Sequence, residues 1–206
     1  ETIHELIEKY GITPLPPYIK RPSSLHKYQA VYAKYRGSIA APTAGLHFTR
    51  RLLSKLKKQG IAMEYVTLHV GRGTFLPVKT DKVEDHQMHS EFFTLNKTTV
   101  NRLNRYKKEG RRIISVGTTT TRVLESCSNS KGILKPSSGE TDIFIYPGGY
   151  RFKFVDALIT NFHLPKSSLL LLVSTFLGRE KLLSAYQEAI RNQYRFYSYG
   201  DAMVVL

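Results

Sequence analysis

The stretch from Arg111 to Ser126, RRIISVGTTTTRVLES, limits the possible folds more than any other part of the chain. Ile113 to Val116 is a short apolar run rich in β-branched residues, suited to a buried strand. Gly117 supplies the turn, and a helical pattern begins at Thr118 and runs to Glu125. A strand that passes through one glycine into a helix is half of a crossover unit, and such units build sheets covered by helices. The chain is therefore expected to be an α/β protein, a mixed β-sheet flanked by helices. One threonine suffices to cap a helix, so the run Thr118 to Thr121 leaves the others to explain. Outward amides and the helix dipole favour negative charge at such a start. Gly117, Thr118, Thr119 and Arg122 are accordingly candidates for binding a carboxylate or phosphate. Simple capping is the alternative.

The other elements follow from period and punctuation. Thr2 to Tyr10 places Ile3, Leu6, Ile7 and Tyr10 on one helical face, and Gly11 ends it. The proline-rich segment Pro14 to Pro22 is expected to be extended and linker-like, so residues 1–24 form an N-terminal segment and 25–206 the main body of one domain. Helices are expected at Leu25 to Tyr35, from the Thr49 cap to Gln59, at Thr98 to Lys108, at Leu169 to Leu177 and at Arg179 to Asn192. In the last of these, Leu182, Leu183, Tyr186 and Ile190 should face inward. Strands are expected at Ile61 to Val70, Phe92 to Leu95, Ile143 to Tyr146 and Phe152 to Ile159, the last two as a hairpin.

Charge narrows the function. Lys and Arg total 31 against 16 acidic residues, a net charge of +15. A field of that sign attracts polyanions, chiefly nucleic acid. Arg50, Arg51, Lys55, Lys58, Arg102 and Arg105 lie on outward helix faces and are candidate phosphate contacts, with a plain solvated surface as the alternative. No apolar run is long enough to span a membrane. The single cysteine, Cys127, cannot form an internal disulfide, which points to a reducing, cytoplasmic setting. No secretory leader opens the chain. Its start at Glu1 within a helical pattern is that of a fragment.

Several small-residue bends could cradle a ligand. Gly37 to Thr49, GSIAAPTAGLHFT, has little side-chain bulk and one titratable group, His47. Thr43 and Gly45 within it are candidate ligand contacts, and a tight loop is the alternative. GRGTF, with Gly71 and Gly73, follows a strand. It lacks the third glycine and the helix of a dinucleotide fingerprint. TNFHLPKSS places Asn161 and His163 at a strand end, where chemistry concentrates. DHQMHSE offers His86, His89 and Glu91. Without a third strong ligand nearby, no metal is expected, although a metal-dependent hydrolase using these three remains an alternative.

Taken in order, these blocks resemble one family. PLPPYIKR, YQAVYA, GSIAAPTAGLHFT, TLHVGRGTF, DHQMHSE, VGTTTTRVLES, GETDIFIYP, VDALITNFHLPKSSLLLLVSTF and YRFYSYGDAM are similar to segments of S-adenosylmethionine:tRNA ribosyltransferase-isomerases of queuosine biosynthesis. The resemblance implies the larger, α/β domain of a two-domain architecture, without the inserted β-barrel domain. It also implies a substrate pair: S-adenosyl-L-methionine as ribosyl donor and tRNA carrying 7-aminomethyl-7-deazaguanine, acted on by a cytoplasmic monomer. The product would be epoxyqueuosine, with adenine and methionine released. Such chemistry needs a base, a proton donor for adenine and dipoles that fix the ribose. His47, His163 and His89 are candidates for the proton roles, and Glu91 or Asp142 for ribose hydroxyls. A non-catalytic RNA-binding module is the other class of reading.

Overall fold

A computed structural model describes residues 2–16, 18–20, 23, 24, 26–71 and 77–206. Two three-stranded sheets organise the chain. In the first, β1 (Thr67–His69), β2 (Glu91–Leu95) and β4 (Ser137–Thr141) are antiparallel, with β2 central. In the second, β3 (Ile114–Val116) runs parallel to β5 (Ala157–Asn161), and β6 (Ala202–Val205) pairs antiparallel to β5. Helices α1 (Ile3–Tyr10), α2 (Arg50–Lys58), α3 (Lys97–Lys108), α4 (Thr118–Ser126), α5 (Ser168–Leu177) and α6 (Arg179–Arg191) complete it, with 3₁₀ turns at Thr43–His47 and Val83–Asp85. The architecture is mixed α/β, as the β3–Gly117–α4 unit requires. Among the described residues, no helix is long and apolar enough to cross a membrane.

Local chemistry explains the helix ends. Thr2 and Glu5 form a reciprocal capping box at α1. Thr49, Asn96 and Ser167 cap α2, α3 and α5 through their side-chain oxygens. The apolar stripe of α1 stays exposed, with Ile3 65% and Tyr10 69% accessible. Its capping, not burial, accounts for it.

Burial alternates along β2, placing Glu91, Phe93 and Leu95 inward. Phe93 and Leu95 join Val100, Leu103, Val123, Leu124 and Phe154 in one core, while Leu158, Leu172, Val173, Leu182 and Val205 form a second between β5, β6, α5 and α6. Central β5 is covered on both faces, which suits its apolar sequence.

Four expectations are corrected. Residues 26–35 make isolated turns, because Tyr28 is drawn into the interior beside Tyr199 while Tyr35 points to solvent. Only Thr67–His69 of the expected 61–70 strand pairs. In α6, Leu182 and Ala189 are buried, whereas Leu183 and Ile190 are exposed. The expected hairpin of 143–146 with 152–159 does not form. Its strands lie elsewhere: β4 ends at Thr141 and β5 begins at Ala157.

The last correction has a specific cause. Glu125 of α4 is fully buried. Its carboxylate accepts from the backbone amides of Lys153, Phe154 and Val155 and from the Tyr150 hydroxyl, at 2.8–3.0 Å. Those amides are therefore unavailable to a sheet partner until β5 starts. Replacing Glu125 with Gln turns one acceptor into a donor facing N–H groups. Glu125→Gln should cost about 2–4 kcal/mol of stability in urea unfolding at neutral pH. A loss below about 0.5 kcal/mol, the size of an ordinary surface change, would contradict this role.

Candidate active site

Because β3 and β5 are parallel, their C-terminal ends emerge together. The register pairs Val116 with Ile159, and Gly117 donates its amide to the Ile159 carbonyl at 2.8 Å. Antiparallel β6 brings its preceding residues to the same end, since Asn161 stands opposite Ala202. Such ends are where open α/β sheets place ligand crevices. A cavity of about 50 Å³ lies here, lined by Ala41–Ala44, Gly117–Thr119, Thr160–Leu164, Ser167, Tyr18 and Tyr197–Ser198.

Gly117 adopts φ +88°, a conformation that L side chains rarely take. It brings α4 in without a side-chain cap. Thr118 and Thr119 are each 5% exposed and face the cavity. The start of α4 thus presents uncapped amides and two hydroxyls to one small space, an arrangement suited to an anion.

Asn161, 2% exposed, ties three segments together. Its Oδ1 accepts from the Thr43 hydroxyl at 3.1 Å, and its Nδ2 meets His47 Nε2 at 2.9 Å and the Tyr197 carbonyl at 3.1 Å. His47 has its pKa lowered by desolvation, against an opposing pull from Asp201. His163 lines the cavity, with Nε2 2.8 Å from Thr160 Oγ1. The residue is partly accessible, yet protein atoms crowd its ring enough for desolvation to push its pKa down to about 4. It is therefore neutral at physiological pH.

The other candidates lie apart from this cavity. Arg122 and Glu91 are spent on each other at 2.8 Å, both almost fully buried. The Arg122 guanidinium also donates to the carbonyls of Ile143, His89 and Thr141. Burial draws the Arg122 pKa down, and Glu91 and Asp142 push it back up. This pair fastens α4 to β2, and neither residue lines the cavity where a ligand contact was expected. His89 and Asp142 are exposed, and neither lines the cavity. His86 packs edge-on to Phe144, 5.1 Å between centroids. Among the described residues, no three His, Cys, Asp or Glu groups are placed to share a metal ion. Gly45 is buried, and a Cβ there would meet the Tyr32 hydroxyl at 2.4 Å, so its small size serves packing. Gly71 borders open space, and Gly73 lies outside the described residues.

The two basic helices differ. Arg50, Arg51, Lys55 and Lys58 on α2 are exposed, without a carboxylate partner among the described residues. On α3, Arg102 pairs with Glu64 and Arg105 with Glu109. Unneutralised charge on α2 gives it the stronger field for a polyanion.

Sequence reasoning missed Tyr18, Tyr197 and Ser198. Tyr18 comes from the segment read as a linker, yet its ring lies 5.0 Å from that of Tyr197 and its hydroxyl 2.7 Å from Ser198 Oγ. The signal was an aromatic residue among prolines, where an extended chain can only hold it by packing. A second, larger space of about 490 Å³ runs beside β3, lined mainly by apolar groups including Leu53, Leu56, Tyr65, Leu103 and Ile114.

Comparison with known proteins shows which family the chain falls in. The family model described as "Queuosine biosynthesis protein" matches residues 1–205. A protein of Halothermothrix orenii named S-adenosylmethionine:tRNA ribosyltransferase-isomerase is 58% identical over 98% of this chain and 59% of its own length. A protein of Vesicomyosocius okutanii with the same name is 57% identical over 98% of this chain and 60% of its own. The crystal structure of S-adenosylmethionine tRNA ribosyltransferase from Thermotoga maritima superimposes with a TM-score of 0.65 at 44% identity. It covers 80% of this chain and 51% of that one. The chain thus spans about three fifths of the length of the curated relatives it matches. On the match along nearly all of its residues, the chain belongs to the queuosine biosynthesis protein family.

Proposed function

We propose that this chain is the α/β part of a cytoplasmic, monomeric enzyme that moves the ribosyl group of S-adenosyl-L-methionine onto tRNA. The acceptor is 7-aminomethyl-7-deazaguanine at the wobble position, the product is epoxyqueuosine, and adenine and methionine leave. The observation that carries the reading is the cavity where the ends of β3 and β5 meet the 3₁₀ turn at Thr43–His47. At about 50 Å³ it is far smaller than the roughly 300–1,000 Å³ of sites that enclose a whole ligand. It therefore suits one end of the donor. The uncapped start of α4, with Thr118 and Thr119, supports seating the methionine carboxylate there. Thr43, which Asn161 holds in place, would face the sugar.

The reaction begins with loss of a proton from the carbon beside the sulfonium, which the positive sulfur acidifies. His163 is the proposed base: it lines the cavity and is neutral, and with Nε2–H donating to Thr160 Oγ1 its Nδ1 keeps a lone pair to offer. Its depressed pKa makes it a weak base in the resting state, and contact with a cationic sulfonium would weaken it further. The carboxylate end of the donor offsets that effect.

The deciding experiment is adenine release from S-adenosylmethionine with precursor-bearing tRNA, comparing this chain with a longer relative. No release by either protein would overturn the reading. In the longer protein, replacing the equivalents of Thr118 and Thr119 together with Val should raise the KM for S-adenosylmethionine about tenfold. That is the worth of one or two hydrogen bonds to a charged group.

The His163 shift also fixes a stability trend. The folded pKa of about 4 lies below the ordinary histidine value of 6.5. Between those two values the unfolded chain binds a proton that the native state refuses. Stability is thus full above pH 6.5 and falls as the pH drops towards 4. His163→Asn should lessen that fall, read as the change in unfolding free energy between pH 7 and 4.5. An unchanged slope would contradict the burial argument.

Contact with tRNA is proposed for α2. Changing Arg50, Arg51, Lys55 and Lys58 to Gln should weaken tRNA binding and flatten its salt dependence. Changing Arg102 and Arg105 should do so less, since carboxylates already neutralise them. Filter binding across a salt series distinguishes the two sets. Tight binding by the chain without adenine release from any form would favour the RNA-binding alternative.

A further inference from the structure

The Asn161 contacts carry an inference about His47 that deepens the proposed reading and, for its catalytic meaning, rests on it. The orientation of the Asn161 amide is fixed by its neighbours. The Tyr197 carbonyl can only accept, so the amide nitrogen must face it. Nδ2 then also faces His47 Nε2, and Oδ1 receives the Thr43 hydroxyl. The reversed amide would set Oδ1 against the Tyr197 carbonyl, two acceptors in a site 2% exposed. His47 Nε2 therefore accepts a hydrogen bond and carries no proton. In a neutral imidazole the proton is then on Nδ1.

We propose that Asn161 is a positioning residue that locks His47 as the neutral Nδ1–H tautomer. His47 thereby serves as a hydrogen-bond donor, neither the base nor the acid of the reaction. Its basic lone pair is occupied by Asn161, so it cannot take a proton from substrate without breaking that bond. Protonation would point Nε2–H at an amide that already donates there. Desolvation acts in the same direction. The charged group that opposes it is Asp201, whose carboxylate is itself held by the Arg195 guanidinium at 3.1 Å and the Arg195 amide at 2.7 Å. The Nδ1–H, on a half-buried ring that borders the cavity lining without being part of it, suits an uncharged acceptor, such as a ribose oxygen or a purine ring nitrogen. A neutral donor stabilises charge that develops on such an atom without transferring its own proton.

The test is made on this chain labelled with 15N at histidine. Two-bond proton–nitrogen correlation spectra are recorded across a pH series, and the His47 signals are assigned by their loss in His47→Gln. The expected result at pH 7 is the Nδ1–H pattern, with titration below that of an ordinary histidine. Asn161→Asp places a carboxylate against Nε2. It should reverse the tautomer to Nε2–H and raise the His47 pKa by about one unit or more. An Nε2–H pattern in the unsubstituted chain overturns the proposal, as does an aspartate variant with unchanged tautomer and titration. If the aspartate variant fails to fold, the unsubstituted spectrum decides alone. Loss of the ribosyl-transfer reading would show separately, as absent adenine release with the Nδ1–H pattern intact.

Discussion

The Glu125 carboxylate decides where the second sheet can begin. A fully buried acid is tolerated only when its lone pairs are filled, and here successive backbone amides and a phenol fill them. Because residues 153–155 spend their donors on Glu125, the chain enters the sheet at Ala157. That start places Asn161 at the far end of β5, one residue beyond the level of Gly117 after β3. The cavity exists because two parallel strands end together and because α4 supplies both the acid that sets one strand and the open helix start beside the other.

Two buried polar knots divide the labour. Arg122 and Glu91 fasten α4 to β2, in a position where removing either partner would strand the other's charge. Asn161 fastens β5 to the 3₁₀ turn and to the C-terminal segment. Each makes several bonds through a planar group, so each fixes orientation as well as distance. Arg122 and Glu91 at the first knot lie away from the cavity, whereas Thr43, Asn161 and Tyr197 at the second line it.

Much of this was legible in the sequence. The Thr49 cap and the β3–Gly117–α4 unit follow from short-range rules, and the structure has them. Thr43, Gly117, Thr118, Asn161 and His163 were named from bends and strand ends. The errors share one physical origin. Helix formation at 26–35 and a hairpin at 143–159 were plausible locally, but distant groups claimed the atoms those elements needed: Tyr199 beside Tyr28, and Glu125 at residues 153–155. Arg122 was assigned to a ligand because its pairing with Glu91 joins residues 31 apart in the chain, which no motif reveals. Tyr18 was passed over because prolines advertise extension and say nothing of what the extended chain packs on.

Strand β3 bonds to β5 on one side, and on the other no strand joins it among the described residues. Ile114 on it is 46% exposed, next to the apolar groove. A naked, greasy sheet margin invites self-templated pairing between molecules. Arg112 stands two residues before its first strand residue, after Arg111, which pairs with Glu109 at 2.9 Å, within a chain of charge +15. Two copies approaching margin to margin bring two strongly positive bodies together, and that like-charge repulsion opposes such pairing.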